Sequence, residues 1–320
     1  MEKKSLHLLV GDYRNTDVLQ PMLEQSYVEQ NIATIQAMRF KLADADPIQP
    51  DHHWVAPADN KQSPVSLYVF LPQSALDKPL PLIYFMHGGG YILGNPRQQN
   101  AALKALAEQN QAMVVSVGYT LATTKPYPAD LNDAYHGLHY LYQHAAQYGI
   151  DAEKIIVMGE SAGGGLAARL ALKVRDEGEI SLKGQVLIYP MLDYRTGTAE
   201  SPYPNAYTGE FVWTAERNRF GWSCLRGGQT FSLEELGYFS PTFAQKLSAL
   251  PPTFIVVSTL DLFVHEDIDY AQRLIQAGVP TELHVIDGAY HGFDNVLPQS
   301  EQTQQYIHWR TQAIARMLSR

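Results

Sequence analysis

The chain has 320 residues, 45% of them hydrophobic, with a formal net charge of −9 and a single cysteine, Cys224. This length allows one large domain with insertions or two domains, and a hydrophobic core large enough to be stable without disulfide bonds. The negative charge argues against nucleic acid as a binding partner, and a single cysteine excludes an intrachain disulfide framework. No apolar run reaches the roughly 18 residues of a membrane span. Residues 6–10 are too few for a secretory signal, so we expect a cytoplasmic protein.

The first 50 residues are polar and contain apolar side chains at helical spacing, namely Tyr27, Ile32, Ile35, Met38 and Leu42. Pro47 and Pro50 disfavour continuation of this helix. The pattern predicts an N-terminal helical segment over residues 1–50.

Short apolar runs recur through the rest of the chain and are typical of buried strands. They lie at 52–55, 65–70, 82–86, 113–117, 155–158, 186–189, 254–257 and 283–286. Helical stretches separate most of them, at 98–109, 131–147, 166–175, 266–277 and 302–316. Alternation of buried strands with helices predicts the α/β class, with a mostly parallel eight-stranded sheet and helices on both faces.

The segment between Asp193 and Pro252 breaks this alternation because it contains no strong strand pattern. It is rich in aromatic side chains, among them Tyr203, Tyr207, Phe211, Trp213, Phe220, Trp222, Phe231, Tyr238 and Phe239. Such an insertion is either a helical excursion whose aromatics belong to the core or a functional lid. We favour a lid built from residues 1–50 and 196–239, above an α/β domain formed by residues 51–195 and 240–320.

A strand-turn-helix pattern surrounds Ser161. The apolar run 155–158 leads into Gly159-Glu160-Ser161-Ala162-Gly163, and a helical pattern begins near Leu166. A serine between two glycines at a sharp turn is the G-x-S-x-G pattern of a nucleophile elbow. The alternative is a serine that only caps the following helix. These five residues alone leave both interpretations open.

A serine nucleophile needs a base and an acid within hydrogen-bond reach. In doubly wound hydrolases they follow the serine in the order acid, histidine, in loops past the carboxyl ends of later strands. Asp261 follows run 254–257, and His291 follows run 283–286 in a loop of small residues. We therefore predict Asp261 as the acid and His291 as the base for Ser161. The rival acids are Glu266, Asp267 and Asp294, of which the first two should begin a helix and favour its dipole.

A glycine loop follows the apolar run 82–86, with the sequence His87-Gly88-Gly89-Gly90. Consecutive glycines let backbone N–H groups approach a substrate oxyanion, so we predict Gly88, Gly89 and Ala162 as donors. The alternative is a flexible turn. The chain contains neither a phosphate-binding glycine motif nor zinc-ligand spacing, and we expect no cofactor and no metal.

Taken together, these motifs resemble the hormone-sensitive-lipase-like family of α/β-hydrolases, which includes bacterial short-chain carboxylesterases and acetyl esterases. The likeness spans roughly residues 65–293 and includes H-G-G-G-Y at 87–91, G-E-S-A-G-G at 159–164 and H-G-F at 291–293. It implies the α/β-hydrolase fold and a helical lid. By the same likeness, the triad is Ser161, Asp261 and His291, and the oxyanion hole is Gly88, Gly89 and Ala162.

Two segments depart from the family pattern. The family's D-P-L-x-D-E around the acid appears here as residues 261–266, which keep Asp261 and Glu266 but lose the proline and second aspartate. The family's Y-R-L-A-P-E appears as residues 119–124 without its arginine and its acid.

The resemblance implies a serine carboxylesterase that acts on small acyl esters through an acyl-enzyme. A non-catalytic ligand receptor and an amidase or peptidase on the same fold are the alternatives. We expect bulky side chains to shorten the acyl pocket, and the predicted substrate contacts are Tyr91, Phe211, Trp213 and Trp222. The expected partner is a small-molecule ester, and the sequence leaves a homodimer open.

Overall fold

The computed structural model describes residues 3–19, 29–73 and 78–320. Tyr27, part of the predicted N-terminal helix, lies outside the described residues. The strands are β1 (His52–Ala56), β2 (Val65–Phe70), β3 (Leu80–Met86), β4 (Met113–Gly118), β5 (Ile150–Glu160), β6 (Leu182–Ile188), β7 (Thr253–Ser258) and β8 (Thr281–Ile286). They form one sheet in the order β1-β2-β4-β3-β5-β6-β7-β8. Of the described strands, β2 alone runs opposite to the other seven, which confirms the predicted mostly parallel eight-stranded sheet.

Helices connect the parallel strands. They are α1 (Glu29–Ala45), α2 (Asn100–Asn110), α3 (Ala129–Gln143), α4 (Ala145–Tyr148), α5 (Ala162–Glu177), α6 (Ala215–Arg226), α7 (Leu233–Phe239), α8 (Val264–Gln276), α9 (Phe293–Val296) and α10 (Glu301–Leu318). The helix predicted over 131–147 is interrupted, because His144 leaves helical geometry with φ −110° and ψ 20°. None of the helices in the described ranges is long and apolar enough to cross a membrane.

The central strands of the sheet are buried on both faces, which explains their continuous apolar runs. Along β3 and β5, alternate side chains enter two different core clusters because successive strand residues point to opposite faces. One cluster includes side chains of α3, α5 and α8, and the other includes side chains of α2 and α10. The fold is therefore a three-layer α/β arrangement.

Two glycines bring the end of β3 against the start of α5. A Cβ atom on Gly163 would lie 2.1 Å from the Met86 carbonyl oxygen, and one on Gly159 would lie 2.1 Å from the Gly163 carbonyl oxygen. No larger residue fits either position. The close approach sets the loop after β3 beside Ser161, since a Cβ on Gly88 would lie 3.4 Å from that of Ser161.

A buried ion pair joins α3 to α5. The Arg169 guanidinium donates to the Asp130 carboxylate, and both side chains are almost completely buried. The guanidinium carbon also lies 4.9 Å from the centre of the Tyr91 ring. The pair therefore packs beneath the segment that follows the glycine loop.

Removing one partner of this pair should destabilise the fold strongly. We expect Asp130→Asn to lower the free energy of unfolding by about 3–5 kcal/mol, because the buried Arg169 charge loses its counter-charge. The control is Asp44→Asn at a pair with Arg97, where the Asp44 side chain is 63% exposed. That change should cost less than about 1 kcal/mol in chemical denaturation. Equal effects of the two substitutions would contradict the assignment.

Candidate active site

Three side chains at the carboxyl ends of the parallel strands are joined by hydrogen bonds. They are Ser161, His291 and Asp261. The Ser161 Oγ lies 2.8 Å from His291 Nε2, and His291 Nδ1 lies 2.7 Å from Asp261 Oδ2. An ionised carboxylate can only accept, so Nδ1 carries the ring proton and Nε2 accepts from the serine hydroxyl. This tautomer suits removal of a proton from Ser161.

Ser161 occupies a strained turn between β5 and α5. Its backbone has φ 55° and ψ −121°, a conformation that costs a non-glycine residue about 1–3 kcal/mol. Three backbone hydrogen bonds hold it. The Ser161 N–H donates to the Ile188 carbonyl at 2.9 Å, and the Ser161 carbonyl accepts from the N–H groups of Gly165 at 2.9 Å and Met191 at 3.0 Å. The hydroxyl makes no capping bond to α5. The geometry therefore favours the elbow over the helix cap.

Asp261 is the acid that reaches His291. It is fully buried, and its Oδ1 accepts from the Phe263 N–H at 3.0 Å. The Phe263 ring packs edge-on against the His291 ring, with centroids 5.1 Å apart. The loop thus positions the acid without the family's proline. Among the rival acids, Asp294 instead accepts from the Tyr189 hydroxyl at 2.7 Å.

The other two rival acids lie in the first turn of α8, as predicted, but both are fully buried. Glu266 accepts from the Leu192 and Asp193 N–H groups at 2.7 Å and 3.2 Å, which ties α8 to the loop after β6. Burial, and then the charges of Glu266 and Asp261, hold the pKa of Asp267 well above its usual range. Burial is therefore the largest influence on the pKa of both carboxyl groups.

The glycine loop is oriented by bonds to its carbonyl groups. The Tyr119 hydroxyl donates to the His87 carbonyl at 2.8 Å, and His87 Nδ1 donates to the Gly88 carbonyl at 2.9 Å. In a trans peptide the N–H points away from the preceding C=O. The Gly88 and Gly89 N–H groups therefore point away from these anchors. Within the described residues, neither donates to a backbone carbonyl.

His87 supports the loop as a neutral ring. Burial lowers its pKa to about 4, so the ring is uncharged near neutral pH. The ring stacks on Tyr119 with centroids 4.4 Å apart. Sequence reasoning named His87 only as the start of the motif and did not identify Tyr119 as its partner, because nothing local connects the two.

A cavity of about 530 Å³ opens above Ser161 and His291. Gly88, Gly89 and one face of α1 contribute to its wall. Its size lies within the range of small-molecule sites. In the part of the chain that the structure describes, no three His, Cys, Asp or Glu side chains are placed to hold a metal ion.

The four aromatic residues predicted to contact substrate separate into two groups. Trp213 lines the cavity, with its ring centroid 6.3 Å from that of His291. Tyr91, Phe211 and Trp222 are buried and do not line this cavity. Tyr91 packs on Trp222 at 5.3 Å, and Phe211 packs on Tyr290 at 5.6 Å. Their position favours core packing, and of the four we keep only Trp213 as a substrate contact.

Sequence reasoning missed a polar network on one wall of the cavity. The Glu160 carboxylate accepts from Gln99 Nε2 at 2.7 Å and from Asn295 Nδ2 at 3.4 Å, and all three residues line the cavity. Burial and the nearby Asp294 carboxylate raise the pKa of Glu160 to about 7. Glu160 adjoins the serine in the motif, but its partners are far along the chain.

The raised pKa of Glu160 predicts a pH-dependent stability. Its folded value of about 7 exceeds the ordinary 4.5, so the protonated form stabilises the fold fully below about pH 4.5, and this contribution is lost as pH rises through 7. Glu160→Gln cannot titrate, so its free energy of unfolding should rise relative to wild type between these limits. The control is Glu153→Gln, an exposed position, where denaturation should show no such trend. A pH-independent difference for Glu160→Gln would contradict the prediction.

Known proteins share this fold and much of this sequence. A family model described as the alpha/beta hydrolase fold matches residues 83–295. Esterase LipI of Mycobacterium tuberculosis is 30% identical over 264 residues, which cover 81% of each chain. The ethyl acetate hydrolase of Pseudomonas putida is 29% identical over 212 residues, covering 66% of this chain and 65% of that protein.

Solved structures agree with these relatives. Esterase LipW from Mycobacterium marinum superposes with a TM-score of 0.81 at 30% identity, covering 99% of this chain and 98% of LipW. This match confirms the fold that the motifs predicted. The chain belongs to the α/β-hydrolase fold family.

Proposed function

We propose that this protein is a serine carboxylesterase that hydrolyses short-chain acyl esters through an acyl-enzyme intermediate. The proposal rests on two hydrogen bonds, one between Ser161 and His291 and one between His291 and Asp261. Relatives named esterase and ethyl acetate hydrolase support the reaction class and a small acyl group.

In acylation, Ser161 Oγ attacks the ester carbonyl carbon while its proton passes to His291 Nε2. Asp261 keeps the ring oriented and stabilises the imidazolium. The carbonyl oxygen becomes an oxyanion, which the N–H groups of Gly88, Gly89 and Ala162 bind. The imidazolium then protonates the leaving alcohol as the carbon–oxygen bond breaks.

In deacylation, a water molecule replaces the alcohol. His291 removes a proton from the water, whose oxygen attacks the acyl carbon. A second tetrahedral oxyanion occupies the same three donors. His291 then returns the proton to Ser161 Oγ, which releases the carboxylic acid and restores the resting state.

Residues 1–50 and 196–239 are proposed as the lid over this site. One face of α1 borders the cavity, and Val212, Trp213 and Arg217 border it from the insertion. The Trp213 ring is bulky and close to His291, which favours short acyl groups. The cytoplasmic location and a homodimer stay predictions from the sequence.

Loss of the serine hydroxyl should abolish hydrolysis. We expect Ser161→Ala to lower kcat for p-nitrophenyl acetate by a factor on the order of 10⁶, because triad members act as a unit. Ser248→Ala, at an exposed position, is the matched control and should hydrolyse at the wild-type rate. Retained activity in Ser161→Ala would refute the proposed nucleophile.

The same assay with p-nitrophenyl esters from acetate to hexadecanoate tests the acyl preference. We expect the highest kcat/KM between acetate and hexanoate. A higher value for dodecanoate than for butyrate would contradict the short-chain assignment. A parallel set of aminoacyl amides separates esterase from amidase activity.

A further inference from the structure

One face of α1 borders the cavity and carries a single cationic side chain. The bordering side chains from this segment are Ile35, Met38, Arg39, Leu42, Ala43 and Asp46. Steps of three and four residues place side chains on one face of a helix. Four of the six side chains are apolar, so the face presents one guanidinium in an otherwise largely apolar surface.

Contacts to the segment after the glycine loop fix the position of this face. The Gln36 side chain donates to the Gly94 carbonyl at 2.6 Å and accepts from the Gly94 N–H at 2.9 Å. Asn95 Nδ2 donates to the Arg39 carbonyl at 3.3 Å. Arg39 therefore stands in a defined place relative to Gly88 and Gly89, which border the same cavity.

The Arg39 guanidinium has no partner among the residues that the structure describes. Over residues 3–19, 29–73 and 78–320, it makes no hydrogen bond, ion pair or ring contact. Arg217 also borders the cavity, but its guanidinium donates to the Val212 carbonyl. Arg39 is partly exposed at the cavity, so its five N–H donors are available to a bound ligand.

Neither carboxyl group that borders the cavity accepts from Arg39. Glu160 accepts from Gln99 and Asn295, and burial together with Asp294 raises its pKa to about 7. The Asp46 carboxylate accepts from the Ile48 N–H at 2.8 Å. Among the described residues that border the cavity, no carboxylate is left to accept from Arg39, so a bound ligand can supply the acceptor.

We propose that Arg39 is a specificity-determining residue that binds a carboxylate on the ester substrate. A guanidinium binds a carboxylate through two parallel hydrogen bonds. These bonds set the orientation of the carboxylate in addition to the attraction between opposite charges. The substrate class is then a small ester that carries a carboxylate in its acyl part or in its alcohol part. This inference rests on the proposed esterase function of the same cavity. Arg39 positions the substrate and takes no part in the proton transfers.

Two matched substrate pairs test the inference and locate the carboxylate. For the acyl side, monoethyl succinate is compared with ethyl butyrate. For the alcohol side, acetoxyacetate is compared with ethyl acetate. We expect the wild-type protein to give the higher kcat/KM for the carboxylate member of at least one pair, and that pair identifies the side. A preference for the neutral member in both pairs would overturn the inference.

Variants of α1 assign the preference to Arg39. We expect Arg39→Gln to lower kcat/KM for the preferred carboxylate ester about 10- to 100-fold more than for its neutral partner, mainly through KM. Arg39→Lys should recover part of this loss, because it keeps the charge but not the paired geometry. Lys41→Gln removes a charge from the exposed side of the same helix and should leave the ratio unchanged. Equal losses on both esters in Arg39→Gln would overturn the assignment.

The two proposals fail in different ways. If hydrolysis of the neutral esters depends on Ser161 but carboxylate esters are not preferred, the inference about Arg39 is wrong and the proposed esterase function stands. If no ester is hydrolysed in a Ser161-dependent reaction, the proposed esterase function is wrong. Thermal unfolding of each variant checks that the losses do not come from misfolding.

Discussion

The contact between the start of α5 and the end of β3 is the constraint on which the site depends. Gly163 comes so close to the Met86 carbonyl that no side chain fits between them. This approach holds Ser161 in a strained turn and sets it beside the glycine loop that continues β3. One packing contact thereby sets the proposed nucleophile beside the proposed oxyanion donors.

Buried polar groups then hold the surrounding loops in place. His87 and Tyr119 anchor the carbonyls of the glycine loop, and Glu266 binds backbone N–H groups of the loop after β6. Burial keeps His87 neutral and raises the pKa of Glu266. The fold thus limits the number of charges near the triad. Arg39 stands out against this background as a cation without a partner in the described chain.

The sequence predicted those features whose cause is local or periodic. The strand runs, the glycines around Ser161 and the loop positions of Asp261 and His291 needed only short patterns and chain order. Features that depend on distant partners were not predictable. The sequence shows bulky aromatic residues at Tyr91 and Trp222, but tertiary packing sets the direction in which each side chain points. Both rings lie in the core.

The helical face that carries Arg39 is an intermediate case. Its helical spacing could be identified from the sequence, but its position beside the cavity above Ser161 could not.

Acylation of Ser161 during turnover is the step on which the proposed mechanism depends. It can be detected by rapid quenching during hydrolysis of an isotopically labelled acetate ester, followed by peptide mapping. We expect labelled acetyl on the peptide that contains Ser161. Turnover without label on that peptide, or with label on another residue, would contradict it.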